Sequence, residues 1–254
     1  MSEPEIRIFP NLDEMSAALA ARFVAAANER SRREENFCAA VSGGQTPRPF
    51  FERLADSALS ASIPWTRMRL FQVDERAVPP DHPQSNYGML RRTLLDHVPA
   101  AAANFHRMEA ERANLSVAAL EYEGVLAREL RPPQNHVPRL DLILLGLGAD
   151  GHTASLFPGT PAQAERERWV APNFVPKLNM HRMTLTYPVL NAAAEVAFMV
   201  AGEEKSRILQ EVLEGPLRPE LFPAQGVQPA SGRLVWYLDR AAAERLSNAR
   251  RSAP

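Results

Sequence analysis

The sequence holds a single cysteine, Cys38, and that scarcity closes off several chemistries. One thiol forms no internal disulfide and no cysteine-rich zinc site, which fits a reducing compartment. Cys38 stands in the apolar run Phe37-Cys38-Ala39-Ala40-Val41, so it is expected to be a buried structural thiol behaving as a small hydrophobe. No run of about 18 or more apolar residues occurs, and no membrane-spanning helix is expected. The acidic start, Met1-Ser2-Glu3-Pro4-Glu5, lacks the apolar segment of a secretory signal, which makes the cytoplasm the expected location. Charge of neither sign is in excess: 29 Lys and Arg against 30 Asp and Glu leave a formal net charge of −1. Without a global basic field, neither nucleic acid nor an anionic membrane is an expected partner, and any anion must be held by a local site. No metal-ligand spacing is recognisable, so neither a metal nor an organic cofactor is expected. No heptad or other assembly seam is legible, and a monomer is the default expectation.

What is present is an alternation of short apolar runs with longer amphipathic ones. With 254 residues, 45% of them hydrophobic, the chain is long enough to bury a core without disulfides or metal staples. Strands are expected at 6–9, 37–41, 68–73, 140–147, 182–187, 196–201 and 234–238, the run at 140–147 being aliphatic enough to need cover on both faces. Helices are expected from Leu12 through Met15, Leu19 and Phe23, and at 47–58, 87–97, 115–130, 203–214 and 240–248. No repeat, low-complexity tract or polar linker interrupts this order, so residues 1–254 read as one domain. The alternation argues for an α/β fold with a mainly parallel, Rossmann-like sheet and helices on both faces.

In such sheets ligands bind outside the carboxyl ends of the strands, and four places there carry unusual residues. Ser42-Gly43-Gly44-Gln45-Thr46-Pro47 follows a strand and precedes a helix. Paired glycines let amides approach an anion, the helix start adds its dipole, and Thr46 offers a hydroxyl; the plainer alternative is a tight turn with Thr46 as helix cap. Asp74-Glu75-Arg76 ends another strand, and Ser85-Asn86-Tyr87 opens the next helix. Arg76 can fork onto a phosphate or an oxyanion, or belong to a surface ion-pair cluster. The third place, Gly146-Leu147-Gly148-Ala149-Asp150-Gly151-His152, satisfies G-x-G-x-x-G after a strand. A dinucleotide site would then want an acidic residue at the end of a second strand, yet Glu165 and Glu167 lie in a polar stretch. More telling is His152, whose imidazole can take a proton from water near neutral pH and return it. Asp150 either orients that ring or caps a short helix behind it. The fourth place holds Arg182 and Lys205, both next to expected strands and able to point cations into the same mouth. A serine hydrolase built on Ser42 is disfavoured, because Ala40 stands where G-x-S-x-G needs its first glycine.

Taken together, these segments resemble the 6-phosphogluconolactonase family, within the wider glucosamine-6-phosphate isomerase/deaminase-like group. The matching stretches are 41–54, 73–90, 141–159, 182–209 and 223–243, roughly half the chain, with the string from Gly148 to Pro158 the most specific. The resemblance implies metal-independent hydrolysis of 6-phosphogluconolactone, a small sugar phosphate. It implies His152 as the base toward water and later the acid toward the ring oxygen, with Asp150 and Arg76 beside it. Ser42, Gly43, Gly44, Thr46, Arg182 and Lys205 would hold the substrate and its phosphate. The sister deaminases carry an acidic residue before the proline that follows their histidine; here Phe157 precedes Pro158, and an aromatic ring performs no carboxylate chemistry. A non-catalytic sugar-phosphate-binding protein is the alternative from another class. One departure is local: family members often have prolines before the Arg-x-Thr-Leu-Thr run, where this chain has Asn179-Met180-His181.

Overall fold

Strands that must be covered on both faces lack polar alternation, and those of this chain assemble into its main sheet. In chain order the strands are β1 (Glu5–Phe9), β2 (Phe37–Val41) and β3 (Met68–Gln72), then β4 (Asp74–Arg76), β5 (Phe105–His106) and β6 (Leu142–Leu145), then β7 (Val170–Val175), β8 (Met180–Leu185), β9 (Glu195–Val200) and β10 (Arg233–Asp239). The computed structural model describes residues 4–247; Met1, Ser2, Glu3 and Asn248, the end of the expected last helix, lie outside the described residues. Seven strands form the main sheet in the order β1-β10-β9-β6-β2-β3-β5, every neighbouring pair parallel. Every residue of β2, β6 and β9 is buried.

The period of two along β2 separates two cores. Cys38 and Ala40 join one apolar cluster, Phe37, Ala39 and Val41 the other. The helix Leu12–Arg32 delivers Met15, Leu19 and Phe23 to the second cluster, and the helix Leu115–Leu130 delivers Tyr122 and Leu126 to the first. Helices therefore cover both faces, as the alternation led one to expect. Burial pushes the Cys38 thiol up to about 12, with Asp141 adding to the shift, so it has no thiolate character.

The sheet order locates the site. From β2 the chain runs outward through β3 to β5, then returns to β6 on the opposite side of β2 and runs outward through β9 to β10. The reversal falls between β2 and β6, and the crevice at their carboxyl ends is the place where an open α/β sheet binds ligands.

A second sheet departs from expectation. The strand expected at 182–187 does not join the parallel sheet: β8 pairs antiparallel with both β4 and β7 in a separate three-stranded sheet. Its sequence alternates: Met183 and Leu185 enter the core cluster, while Arg182 and Thr184 point the other way. Val73 hands the chain over, its N–H donating to Val41 (3.0 Å) and its carbonyl accepting from Leu185 (2.8 Å). Residues 240–247 form turns rather than the expected helix, even though the Asp239 carboxylate accepts from Ala242 N (2.7 Å) as a helix cap would, and from Gly202 N (3.1 Å) as well. The expected 87–97 helix changes at Arg91 into a π-helical turn, Arg91–Leu95. Among the described residues no helix is long and apolar enough to cross a membrane, and no group of three or more His, Cys, Asp or Glu could hold a metal.

Candidate active site

A cleft of about 310 Å³ opens at the reversal point, lined by the loop after β2, the start of β4, the loop after β6, β8 and the turn carrying Lys205. Its first wall is the Ser42–Thr46 loop. Gly43 is fixed there by contact: a Cβ would fall 2.1 Å from Asn86 Oδ1, so only glycine lets the two loops meet. Asn86 Nδ2 donates to the Asp74 carbonyl at 2.9 Å, and its backbone N–H donates to Glu75 Oε1 at 2.8 Å. Glu75 also accepts from Gln72 Nε2, Ser85 Oγ and the N–H groups of Arg76 and Tyr87. Its carboxylate is fully engaged in holding this wall. Thr46 does not cap the following helix, Arg48–Ala55, which begins after Pro47 without any side-chain cap; Thr46 lines the cleft instead.

His152 forms the opposite wall. One glycine of the Gly-rich string serves this residue: a Cβ on Gly148 would lie 1.9 Å from His152 Nδ1, so the imidazole folds back over a backbone only glycine can offer. Asp150 Oδ1 bonds the ring at Nδ1 and also accepts from His152 N at 3.2 Å. No helix follows for Asp150 to cap; the next residues turn through a Thr153–Leu156 bridge. With Nδ1–H donated to Asp150, Nε2 carries the lone pair. The Phe157 ring stacks on the imidazole, centroids 3.8 Å apart. Burial first, then the facing cations Arg182, Lys205 and Arg76, push the His152 imidazole down to about 4, against the pull of Asp74. It is therefore neutral near pH 7, the state a base requires.

Three cations, Arg76, Arg182 and Lys205, and one carboxylate, Asp74, line the cleft. The surplus of two positive charges matches a phosphate monoester dianion. Arg76 and Arg182 are direct cross-strand partners on β4 and β8; like charges in that relation repel, and an anion between them would relieve the repulsion. Arg182 is buried, its Nη1 3.3 Å from Ser155 Oγ and 3.8 Å from Asp74 Oδ2. Ser155 donates to the same Asp74 oxygen at 2.6 Å, so Ser155 links the carboxylate to the guanidinium. Burial pushes the Arg182 guanidinium below its usual value, with Asp74 opposing and Arg76 adding to the shift. Arg76 Nη1 donates to the Gln84 carbonyl at 2.6 Å, while its Nε is buried without a partner. Ser42 Oγ is likewise buried without a hydrogen-bond partner, which removes the nucleophile–base pair that a serine hydrolase needs.

Every site residue expected from the sequence lines this one cleft except Asp150, which sits behind His152. Sequence reasoning missed Asp74 and Ser155 as partners of Arg182. Asp74 carried a signal, a carboxylate at a strand end beside a phosphate-binding candidate. Ser155 lay within the most specific string but carried no signal of its own, since its role depends on β4 and β8 meeting. Phe157 was read only for what it is not; the structure shows it as the surface on which His152 rests.

Residues 10–236 match the family described as glucosamine-6-phosphate isomerases/6-phosphogluconolactonase. A 6-phosphogluconolactonase of Synechocystis is 44% identical over 207 residues, covering 82% of this chain and 83% of its own. The rat 6-phosphogluconolactonase is 39% identical over 249 residues, covering 95% and 93%. Among solved structures, the 6-phosphogluconolactonase of Trypanosoma brucei superposes with a TM-score of 0.83 at 27% identity, over 97% of this chain and all of that one. A monomeric glucosamine-6-phosphate deaminase shares the fold at 19% identity and a TM-score of 0.77. By the length of these matches, the chain belongs to the glucosamine-6-phosphate isomerase/6-phosphogluconolactonase family.

Proposed function

We propose that this chain is a 6-phosphogluconolactonase, hydrolysing 6-phospho-D-glucono-1,5-lactone to 6-phosphogluconate in the oxidative pentose phosphate pathway, with His152 as base. The observation that carries the reading is a neutral imidazole, pinned through Nδ1 to Asp150, on a cleft with two surplus positive charges. In this reading His152 Nε2 takes a proton from water as the water oxygen bonds to the lactone carbonyl carbon. The tetrahedral oxyanion then collapses, the bond from that carbon to the ring oxygen breaks, and the imidazolium returns its proton to that oxygen. Arg182 and Lys205 take the phosphate, Arg76 shares its charge, and the amides of Gly43 and Gly44 with the Thr46 hydroxyl complete the anion cradle, the Ser42 amide being taken by the Leu144 carbonyl at 3.1 Å. No step calls on a metal or an organic cofactor. The balanced net charge and the lone buried thiol support a cytoplasmic protein acting on a small molecule, without nucleic-acid or membrane partners, and the absence of a legible assembly seam in the sequence supports a monomer.

Deamination of glucosamine-6-phosphate is disfavoured by Phe157, whose ring packs flat on His152 where that chemistry wants a carboxylate. A protein that only binds sugar phosphates would gain nothing from a base held neutral and oriented. The test is a coupled assay with freshly generated 6-phosphogluconolactone, corrected for spontaneous hydrolysis, run beside glucosamine-6-phosphate. Acceleration of lactone opening with no ammonia release from the amino sugar is expected. Ammonia release, or tight binding of 6-phosphogluconate with no acceleration, would replace this reading with one of the other two.

A further inference from the structure

The turn between β7 and β8, Pro176–Leu178 followed by Asn179 in the left-handed region (φ 45°), carries a lysine toward the catalytic wall. The Lys177 ammonium reaches two of the groups that touch the imidazole. It forms an ion pair with Asp150 Oδ2, while Asp150 Oδ1 bonds His152 Nδ1. It also lies 4.9 Å from the centroid of Phe157, the ring stacked on His152. The same hairpin carries Arg182, whose guanidinium sits 5.2 Å from the Phe157 centroid. Thus one antiparallel hairpin supplies a cleft cation and, from its turn, a clamp on the far side of the base.

We propose that Lys177 is a positioning residue that acts on His152 through Asp150 and Phe157, without contacting substrate. This rests on the reading of His152 as base. The Lys177 side chain is half exposed, and an ion pair so placed contributes little to stability. What it does contribute is a fixed carboxylate: Asp150 held by two cationic or donor partners has one orientation, and the imidazole bonded to it keeps one tautomer and one ring angle. Small displacements of a catalytic group cost turnover steeply.

Electrostatics gives a second consequence. The charged groups around His152 are Asp150, Asp74, Arg76, Arg182, Lys205 and, through Asp150, Lys177. Removing Lys177 deletes a positive charge and uncovers the negative charge of Asp150. Both changes favour the imidazolium, so the acid limb of the rate profile moves to higher pH.

The experiment compares Lys177→Met, Lys177→Arg, His152→Ala and the Lys177→Met/His152→Ala pair on phosphorylated and unphosphorylated gluconolactone. For Lys177→Met, kcat is expected to fall roughly ten- to a hundredfold on both substrates, with the acid limb of kcat/KM displaced upward. Lys177→Arg should restore most of the turnover, and Lys177→Met should add nothing in the His152→Ala background. A rise in KM confined to the phosphorylated lactone would overturn the proposal by making Lys177 a phosphate contact. Wild-type turnover and pH profile in Lys177→Met, with His152→Ala inactive, would overturn this inference alone. Wild-type turnover in His152→Ala would overturn the base assignment itself, and this inference with it.

Discussion

Replacing His152 by alanine is expected to lower kcat for 6-phosphogluconolactone by about a hundredfold or more, with the fold retained. Its imidazole combines a lone pair, a neutral state near pH 7 and a fixed orientation on the cleft. The remaining cations can still bind and polarise the lactone, so KM should change far less than kcat. Loss of the stacking contact with Phe157, centroids 3.8 Å apart, costs about 0.5–1.5 kcal/mol of stability, which thermal unfolding would register as a small decrease. Stability against pH gives an independent check. The folded-state value of about 4 lies below the ordinary 6.5, so between these the unfolded chain binds more protons. Wild type therefore loses stability as pH falls through that window, by on the order of 3 kcal/mol, and this part of the loss is absent from His152→Ala. Turnover in the variant near that of wild type would remove His152 from the chemistry.

Neutralising Arg182 should separate the two halves of the cleft. For Arg182→Met, kcat/KM for the phosphorylated lactone is expected to fall roughly ten- to a hundredfold further than for unphosphorylated gluconolactone. That ratio corresponds to losing hydrogen bonds to a charged group, about 1.5–3 kcal/mol. The reason is the register of β4 and β8, which sets Arg182 directly opposite Arg76, a repulsive arrangement that a phosphate dianion would relieve. Some stability will also change, because Asp74 loses a cation 3.8 Å away while keeping its bond from Ser155. Comparing substrates within one variant cancels that effect. Equal losses on both lactones would mean that Arg182 supports the wall rather than the phosphate.

Much of this site was legible in the sequence because its parts follow strands. Ser42, Gly43, Gly44 and Thr46 follow β2, and the residues from Gly146 to His152 follow β6; the reversal between those strands brings the two loops together. The continuous aliphatic runs specified the parallel sheet, since burial on both faces leaves no polar alternation to read. What escaped was long-range pairing. The Arg182 strand alternates polar and apolar residues, which fits either sheet until its partner β4 is known. Ser155 and Asp74 are 81 positions apart, and nothing local to either announces the bond. Lys177 carries no signal in the sequence, because its partners Asp150 and Phe157 meet it only once the β7–β8 hairpin has formed. The glycine string illustrates the converse: its spacing suggests a dinucleotide, whereas the close approach of Gly148 to the imidazole shows what the missing side chain makes room for.

The account stands most directly on the protonation state of His152, and the pH dependence of kcat/KM reports it in the free enzyme. Unphosphorylated gluconolactone is the substrate of choice, since a phosphate group would add its own ionisation near pH 6 to the profile. The account predicts a plateau that persists below 6.5 and an acid limb that falls toward about 4, as protonation removes the lone pair on Nε2. An acid limb at or above 6.5 would contradict it, because the imidazole would then be an ordinary solvated histidine, neither buried nor shielded by the cations around it.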